Sequence, residues 1–355
     1  MTRSPARLKW VGLIIACVLV VAAYTVYLPF GVDYLLYFRP PVEAWLSGAA
    51  ELYDPVKTKG FFDMPWMAFG LAPFLLFRPP LDLALWRALN LAGVVGAAFV
   101  FRDGASRRWV ALAAAHLYVL HAILVANVDG VILLGVGLAW LGAQGRKPWL
   151  LSFGLWLISF KPFNALLFGA VILAAIWRWN WREKLEAFSL TGLSFLTSFF
   201  IFGPDWPARY LNNLKVVPPW PVIITTTWRA AETLGLPAWG VGLASVFAVV
   251  AFLWALITRG ATPEATGLAL ATNLSVTTYA VEPHYILLIP AFLVVARRRP
   301  ELAAAAYLLA VVLYALRAAF EFRFVWLAVL YPLILLAGSW YAVFNGWNGR
   351  KRSNG

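Results

Sequence analysis

Charged side chains are scarce in this chain, and their scarcity is the first guide to its class. Only 13% of the 355 residues are Asp, Glu, Lys or Arg, whereas 62% are apolar. A soluble domain carries about 25% charged residues, so the composition favours the lipid bilayer as the solvent. Cys17 is the only cysteine. A single thiol argues against a disulfide framework and against a cysteine-based metal site.

Motifs of soluble enzymes are also absent from the sequence. There is no Walker A sequence, no dinucleotide-binding glycine fingerprint, no HExxH and no GxSxG. An Asp-x-Asp pair of the kind that holds a metal and a nucleotide sugar is missing as well. We therefore expect no metal site and no cofactor. An enzyme with this sequence would use a lipid-linked donor rather than a cytosolic nucleotide.

Long apolar runs, in contrast, recur from one end of the chain to the other. Because about 20 apolar residues cross a bilayer as a helix, we predict twelve helices. Their predicted ranges are 8–28, 81–101, 109–126, 128–143, 148–160, 163–177, 186–203, 236–258, 264–281, 284–296, 301–318 and 324–343. The first range is too long for a signal-peptide core and has no convincing cleavage site.

The basic residues form seven clusters between these runs. They are the N-terminus with Arg3, Arg7 and Lys9, then 102–108, 146–147, 178–184, Arg259, 297–299 and 350–352. With twelve crossings all seven clusters lie on one side, which the positive-inside rule makes cytoplasmic. This predicts a multi-pass protein of the inner (plasma) membrane with both termini in the cytoplasm. The net charge of +13 then reflects membrane topology, and we expect no nucleic acid partner.

The same topology predicts one all-α membrane domain over residues 1–355 with two long outer loops, 29–80 and 204–235. The apolar stretch 65–77 is short for a crossing. If it crossed, every later basic cluster would change sides, so an interfacial or re-entrant helix is expected there. Residues 38–48 are predicted to form another short interfacial helix.

Ionisable residues near the outer ends of the predicted helices are candidates for function, because such groups are costly at membrane depth. The candidates are Asp33, Arg87, Asp129, Lys161, His284, Arg317, Glu321 and Arg323. Each has a simpler interpretation. Lys161 is also consistent with a lysine that reaches the interface, His284 with a structural histidine, and Asp33 with a helix cap. Arg317, Glu321 and Arg323 also form a set that neutralises itself.

A spaced pattern in the first loop resembles a known enzyme family. It consists of Asp33, Tyr34, Tyr37, Ala44-Trp45, Gly48, Leu52-Tyr53-Asp54 and Met64-Pro65, continued by Leu85-Trp86 and Ala88-Leu89-Asn90. It resembles the polyprenyl-phosphate-mannose-dependent alpha-mannosyltransferases of the GT-C superfamily, glycosyltransferase family 87. Phe160-Lys161-Pro162 is similar to the family's Lys-Pro, and Glu282-Pro283-His284-Tyr285 to its late outward histidine segment. Ala126-Asn127-Val128-Asp129 departs from the family's G-Q-x-N, which leaves the donor sugar open.

The resemblance implies a GT-C-like bundle of about 12 helices whose site faces outward. It implies an inverting, metal-independent transfer of a sugar from a polyprenyl-phosphate donor to a lipid or glycan acceptor, with membrane lipids as surroundings. Asp33 would be the general base, and Lys161 and His284 would contact the phosphate or the sugar. Arg317 and Arg323 are added as phosphate ligands because of their charge and predicted side. Tyr37, Asp63, Asp129 and Glu282 would position the sugar or the acceptor.

Two other functions remain open. A transporter or flippase also has many helices with buried charges, although the sequence shows no repeated halves. A non-catalytic membrane subunit derived from such an enzyme would fit the altered segment at Asn127 and Asp129. The spatial relation of Asp33, Lys161 and His284 separates these possibilities, because catalysis requires the three side chains to converge.

Overall fold

The computed structural model describes residues 31–54, 56, 61–216, 223–320 and 323–353, with side chains described up to residue 344 except at Val216. The predicted helix at 8–28, Cys17 and Glu321 lie outside these ranges. Within them every regular element is a helix or a helical turn. The all-helical class predicted from the sequence is therefore confirmed for the described residues.

Sixteen α-helices follow one another in these ranges. In chain order they are α1 Arg39–Leu46, α2 Met67–Leu71, α3 Leu81–Val100, α4 Arg107–Ala114, α5 Leu117–Val125, α6 Asp129–Gln144, α7 Pro148–Ile158, α8 Leu166–Ala175, α9 Trp181–Ile201, α10 Trp206–Val216, α11 Thr227–Thr233, α12 Ala238–Arg259, α13 Pro263–Val276, α14 Ile289–Arg298, α15 Pro300–Ala319 and α16 Leu330–Ser353. A π-helical turn, Asp33–Phe38, leads into α1. Short 3₁₀ turns occupy Phe74–Leu76, Pro162–Asn164, Glu282–Leu288 and Val325–Val329.

Five described segments are long and apolar enough to cross a membrane, which makes the chain a multi-pass membrane protein by helix length and hydropathy. They are Leu81–Val100, Arg107–Val125, Ala238–Arg259, Pro300–Ala319 and Val325–Phe344. A sixth candidate is the pair α9 and α10, which are bent by 90° where they join. The prediction of twelve membrane-spanning helices is therefore wrong.

Breaks in the helices explain why the described residues hold fewer membrane-spanning helices than the sequence predicts. Three of the predicted spans are the short helices α6, α7 and α8, with 16, 11 and 10 residues, and each is too short for the hydrocarbon core at 1.5 Å per residue. The predicted span 264–281 is the 14-residue α13, and the predicted span 284–296 begins within the 3₁₀ turn Glu282–Leu288 and continues as the 10-residue α14. Hydropathy counts apolar residues whether or not one continuous helix carries them. Non-helical backbone at such breaks is tolerated where protein surrounds it.

The short helices α6 and α7 form an antiparallel hairpin packed against α3. A Cβ atom added to Gly93 of α3 would lie 1.9 Å from the Gly130 carbonyl oxygen of α6, and one added to Gly130 would lie 2.6 Å from the Asn90 carbonyl oxygen. The two helices therefore approach each other through their glycines, as is common where helices pack within membranes. This contact places the first residue of α6, Asp129, beside the start of α3.

Three of the basic clusters, at 102–108, 146–147 and 297–299, lie at the opposite end of these helices from Asp129. The turn of the α6–α7 hairpin carries Arg146, which pairs with Glu183 at the start of α9 through a 2.7 Å contact. At the same end Arg297 donates to the Asp103 carbonyl oxygen at 2.8 Å and pairs with Glu264. The beginnings of α3, α6 and α8 and the ends of α5, α7 and α13 therefore lie on the side away from these three basic clusters.

Candidate functional site

Asp33 opens the π-helical turn, and buried groups of α3 hold this turn in place. Asp82, fully buried near the start of α3, forms an ion pair with Arg39 and accepts a 3.3 Å hydrogen bond from the Tyr34 hydroxyl. The Tyr34 ring also stacks on Trp86, with 5.8 Å between centroids. Because Tyr34 and Arg39 bracket the turn, the position of Asp33 depends on α3.

The segment between α5 and α6 is held by two further residues of α3. The Trp86 indole donates to the Ala126 carbonyl oxygen at 3.0 Å. Arg87 donates to the carbonyl oxygens of Ile123 at 2.9 Å and Leu124 at 2.7 Å, which lie in the last turn of α5, where carbonyl groups lack the regular helical partner. Ala126 adopts the left-handed conformation with φ of 58°, and this reversal directs the next residue, Asn127, towards Asp33.

Lys161 lies in the break between α7 and α8. Pro162 begins the 3₁₀ turn after it, and a proline lacks the N–H that would continue a helix. Asn273 of α13 satisfies the broken backbone, since its amide donates to the Phe163 carbonyl oxygen at 2.8 Å and accepts from the Leu167 N–H at 3.2 Å. The Met64 N–H donates to the Phe160 carbonyl oxygen at 2.9 Å, so the neighbouring Asp63 is held beside the same break.

These segments bring five ionisable side chains together, which we call the carboxylate–lysine cluster: Asp33, Asp63, Asp129, Lys161 and His284. The Lys161 Nζ lies 3.4 Å from His284 Nε2, and His284 Nε2 lies 3.7 Å from Asp129 Oδ2. Asp63, Asp129, Lys161 and His284 are buried, whereas Asp33 keeps partial exposure. Asp33 is therefore the member of the cluster that is open to a ligand.

Two asparagines complete the cluster. Asn127 Nδ2 donates to Asp33 Oδ2 at 2.5 Å, and Asn164 Nδ2 donates to Asp129 Oδ1 at 2.6 Å. Tyr279, which is partly exposed, lies with its ring centroid 5.6 Å from that of His284. Hydrogen bonds from the amides favour the ionised form of both carboxyl groups.

Burial and the neighbouring charges shift the pKa values of the ionisable groups in the cluster. Burial raises the pKa of the Asp33 carboxyl, while the Asn127 hydrogen bond and the Lys161 charge act in the opposite direction. Burial also raises the pKa of Asp63 to about 6, with Lys161 lowering it and Asp33 raising it. Burial opposes the charge on Lys161, but the carboxylates of Asp63 and Asp129 hold its pKa above the ordinary value. Burial and then Lys161 hold the pKa of His284 far below the ordinary value, so its ring is neutral.

His284 is held from both sides of its ring. Its Nδ1 lies 3.5 Å from the Val281 nitrogen, and its Nε2 lies between the Lys161 ammonium and the Asp129 carboxyl group. Chemically, the cluster offers one accessible carboxylate of raised pKa beside a lysine, an arrangement that is suited to general base catalysis.

The remaining residues predicted from the sequence lie elsewhere. Glu282 forms an ion pair with Arg317 and lies 3.6 Å from His121 Nδ1, so this pair ties α5 and α15 to the turn before α14. Arg323 is exposed and lies 5.9 Å from the centre of the Phe324 ring. Tyr37 packs partly buried against the hydrophobic core. The structure thus brings together five of the predicted residues, and the contacts described above for Glu282, Arg317, Arg323 and Tyr37 involve no member of that cluster.

Sequence reasoning missed three residues at the cluster: Asn127, Asn164 and Tyr279. Asn164 follows Lys161 by one 3₁₀ turn, and this spacing is the one signal that could have indicated it. Asn127 was visible only as part of a departure from a family pattern, and its partner is 94 residues away in the chain. Pairings at such separations depend on tertiary packing.

No protein-family model, curated protein or solved structure matches this chain. Any argument about function therefore depends on the geometry of the cluster, and the family membership suggested by the first loop stays a prediction.

Proposed function

We propose that this protein is a membrane glycosyltransferase that moves a sugar from a polyprenyl-phosphate donor to a lipid or glycan acceptor. The observation that supports the proposal most is the convergence of Asp33, Lys161 and His284. These residues are 128 and then 123 positions apart in the sequence, yet they meet in one cluster with a partly exposed carboxylate. Mannose is the sugar that the first-loop resemblance favours, and another hexose or arabinose is the alternative.

In the proposed reaction Asp33 accepts the proton of the acceptor hydroxyl. The acceptor oxygen then attacks the anomeric carbon as the bond from that carbon to the phosphate oxygen breaks. The configuration inverts, and polyprenyl phosphate leaves with the bonding electrons. Asn127 orients the base, and the Lys161 charge favours its ionised form before the proton arrives. Positioning and electrostatic stabilisation supply the remaining part of the rate enhancement.

The proposed location of this reaction is the outer face of the plasma membrane, with both termini in the cytoplasm. It is supported by the position of the cluster at the helix ends opposite to the basic clusters around Arg102, Arg146 and Arg297. The positive-inside rule assigns the basic ends to the cytoplasm. A donor carried by a membrane lipid would then reach Asp33 from the side of the bilayer.

A proton-coupled transporter is the second candidate. It is favoured by the grouping of three carboxylates, Asp33, Asp63 and Asp129, around a single lysine, because buried acidic residues form proton relays in transporters. Purified protein in detergent separates the two functions. An enzyme transfers sugar without a membrane gradient, whereas a transporter has no measurable activity until it is sealed in vesicles.

The test is sugar transfer by the full chain in detergent. The donors are radiolabelled polyprenyl-phosphate mannose and its glucose and arabinose counterparts, with membrane lipid and glycan extracts as acceptors. Asp33→Asn should lower kcat at least about 100-fold, the lower range for general acid–base catalysis. Glu232→Gln is the matched control, since Glu232 is 68% exposed and pairs with Arg229, and it should leave transfer unchanged. No transfer from any donor, or full activity of Asp33→Asn, would contradict the proposal.

A further inference from the structure

Carboxyl groups outnumber cations in the carboxylate–lysine cluster. Asp33, Asp63 and Asp129 face one cation, Lys161, and the imidazole of His284 is neutral. The ammonium of Lys161 is electrostatically coupled to all three carboxylates. A phosphate that entered this cluster would meet more carboxylates than cations, and like charges repel strongly where water is excluded.

Hydrogen-bond acceptors in the cluster also exceed donors. The buried atoms Asp63 Oδ1, Asp129 Oδ2 and Asn164 Oδ1 have no hydrogen-bond donor among the described residues. Asp63 and Asn164 are 1% exposed and Asp129 is 0% exposed. Unpaired acceptors at this depth are costly. A ligand that supplied O–H groups would satisfy them, whereas the oxygens of an ionised phosphate are acceptors and would not.

We propose that the cluster binds the hydroxyl groups of the sugar part of the substrate, and that Lys161 is the counter-ion of the carboxylates rather than a phosphate ligand. This inference rests on the proposed transfer reaction and changes the role that the family resemblance implies for Lys161. Asp63, Asp129 and Asn164 are then specificity-determining residues that accept from sugar hydroxyls. The phosphate of the donor lies outside the cluster, beyond the exposed side of Asp33.

The first experiment measures binding without turnover. The full chain in detergent is titrated with methyl α-mannoside, methyl α-glucoside and methyl arabinoside, and saturation-transfer NMR reports contact with each glycoside. At least one glycoside should bind, and neither inorganic phosphate nor farnesyl phosphate should displace it. Asp63→Asn should weaken that binding about tenfold, as loss of a hydrogen bond to a charged acceptor does, and Glu232→Gln should not. Displacement by inorganic phosphate would overturn the proposal.

The second experiment tests the role of Lys161 by charge compensation. Lys161→Met should lower the melting temperature and weaken glycoside binding, because it leaves the buried Asp63 and Asp129 and the partly exposed Asp33 without a cation. The double substitution Lys161→Met with Asp63→Asn should recover part of the melting temperature. If Lys161 binds phosphate instead, Lys161→Met abolishes farnesyl phosphate binding and the double variant recovers nothing. Should Lys161→Met not fold, recovery of folding in the double variant supports the counter-ion role and its failure contradicts it.

The outcomes distinguish this inference from the proposed reaction. Glycoside binding without transfer from any donor would contradict the glycosyltransferase and retain the hydroxyl site. Sugar transfer together with phosphate displacement at the cluster would retain the enzyme and contradict the hydroxyl site. Absence of glycoside binding in a protein that transfers sugar would also contradict the hydroxyl site.

Discussion

Asn127 Nδ2 donates a 2.5 Å hydrogen bond to Asp33 Oδ2, and the orientation of the Asn127 amide is determined by a second contact. Its Oδ1 accepts the Asp129 N–H at 3.1 Å. Rotating the amide by half a turn would place an N–H against an N–H and an oxygen against the carboxylate, so the donor towards Asp33 is held in place. One side chain thus joins the exposed carboxylate to the start of α6.

Replacing Asn127 should therefore change the pH dependence of transfer. Asn127→Leu removes a donor that favours the ionised form of Asp33, so the pKa of Asp33 should rise further. The acidic limb of the kcat/KM profile should then move to higher pH by about one unit, the equivalent of one hydrogen bond to a charged group. Asn213→Leu is the control, because Asn213 is equally buried and donates to the Phe61 carbonyl oxygen at 3.0 Å. If the acidic limb of the Asn127→Leu profile does not move, Asn127 does not tune Asp33 and the prediction is contradicted.

The ion pair between Arg39 and Asp82 should contribute strongly to stability because Asp82 is fully buried. Arg39→Met leaves the Asp82 carboxylate without its cation, and breaking a buried pair in this way costs about 3–5 kcal/mol. Arg229→Met is the matched control, since its partner Glu232 is exposed and exposed pairs contribute about 0–1 kcal/mol. Unfolding in detergent measures both variants. Equal losses would show that burial of Asp82 does not determine the effect.

The contact between α3 and α6 should not tolerate a methyl group. Gly93→Ala places a Cβ 1.9 Å from the Gly130 carbonyl oxygen, so the helices must separate and shift Asp129. We expect a loss of about 1–3 kcal/mol from overpacking and reduced transfer. Gly169→Ala in α8 meets no atom within 4 Å and should stabilise by up to about 1 kcal/mol through helix propensity. A neutral Gly93→Ala would contradict the close approach of the two helices.

Asp63 should make the free energy of unfolding depend on pH between the ordinary pKa of an aspartate carboxyl, 3.8, and about 6. Its folded-state pKa is raised from 3.8 to about 6, so the folded state binds the proton more tightly than the unfolded state. The stabilisation that comes from proton binding at Asp63 is present in full below about pH 4 and is lost as the pH rises through about 6. Asp63→Asn should therefore be more stable than the natural protein at pH 7.5, by roughly 2–3 kcal/mol, and the difference should shrink towards pH 4.5. A difference that stays constant with pH would exclude this titration.

Chemical properties that are local in the sequence were predictable. Scarce charge and recurring apolar runs determined the membrane class and the helical secondary structure, because both follow from solvation of each segment by itself. Pro162 and Pro283 lie near the starts of the 3₁₀ turns beside Lys161 and His284, and a proline interrupts a helix wherever it packs. Asp33 was predictable as a candidate from its position alone, because an ionisable group next to apolar membrane helices is costly and is usually paired or functional.

Tertiary structure alone decided how many helices cross the membrane and which polar groups meet. Hydropathy could not tell the short helices α6, α7 and α8 from full spans, because burial by protein and burial by lipid favour the same residues. Nor could it separate His284, which joins Lys161, from Glu282, which lies two residues earlier and pairs with Arg317. The pairing of Asn127 with Asp33 depends on the hydrogen bonds that Trp86 and Arg87 make to the end of α5. The few charged residues indicated candidates for a functional site, and packing between distant segments determined which of them form it.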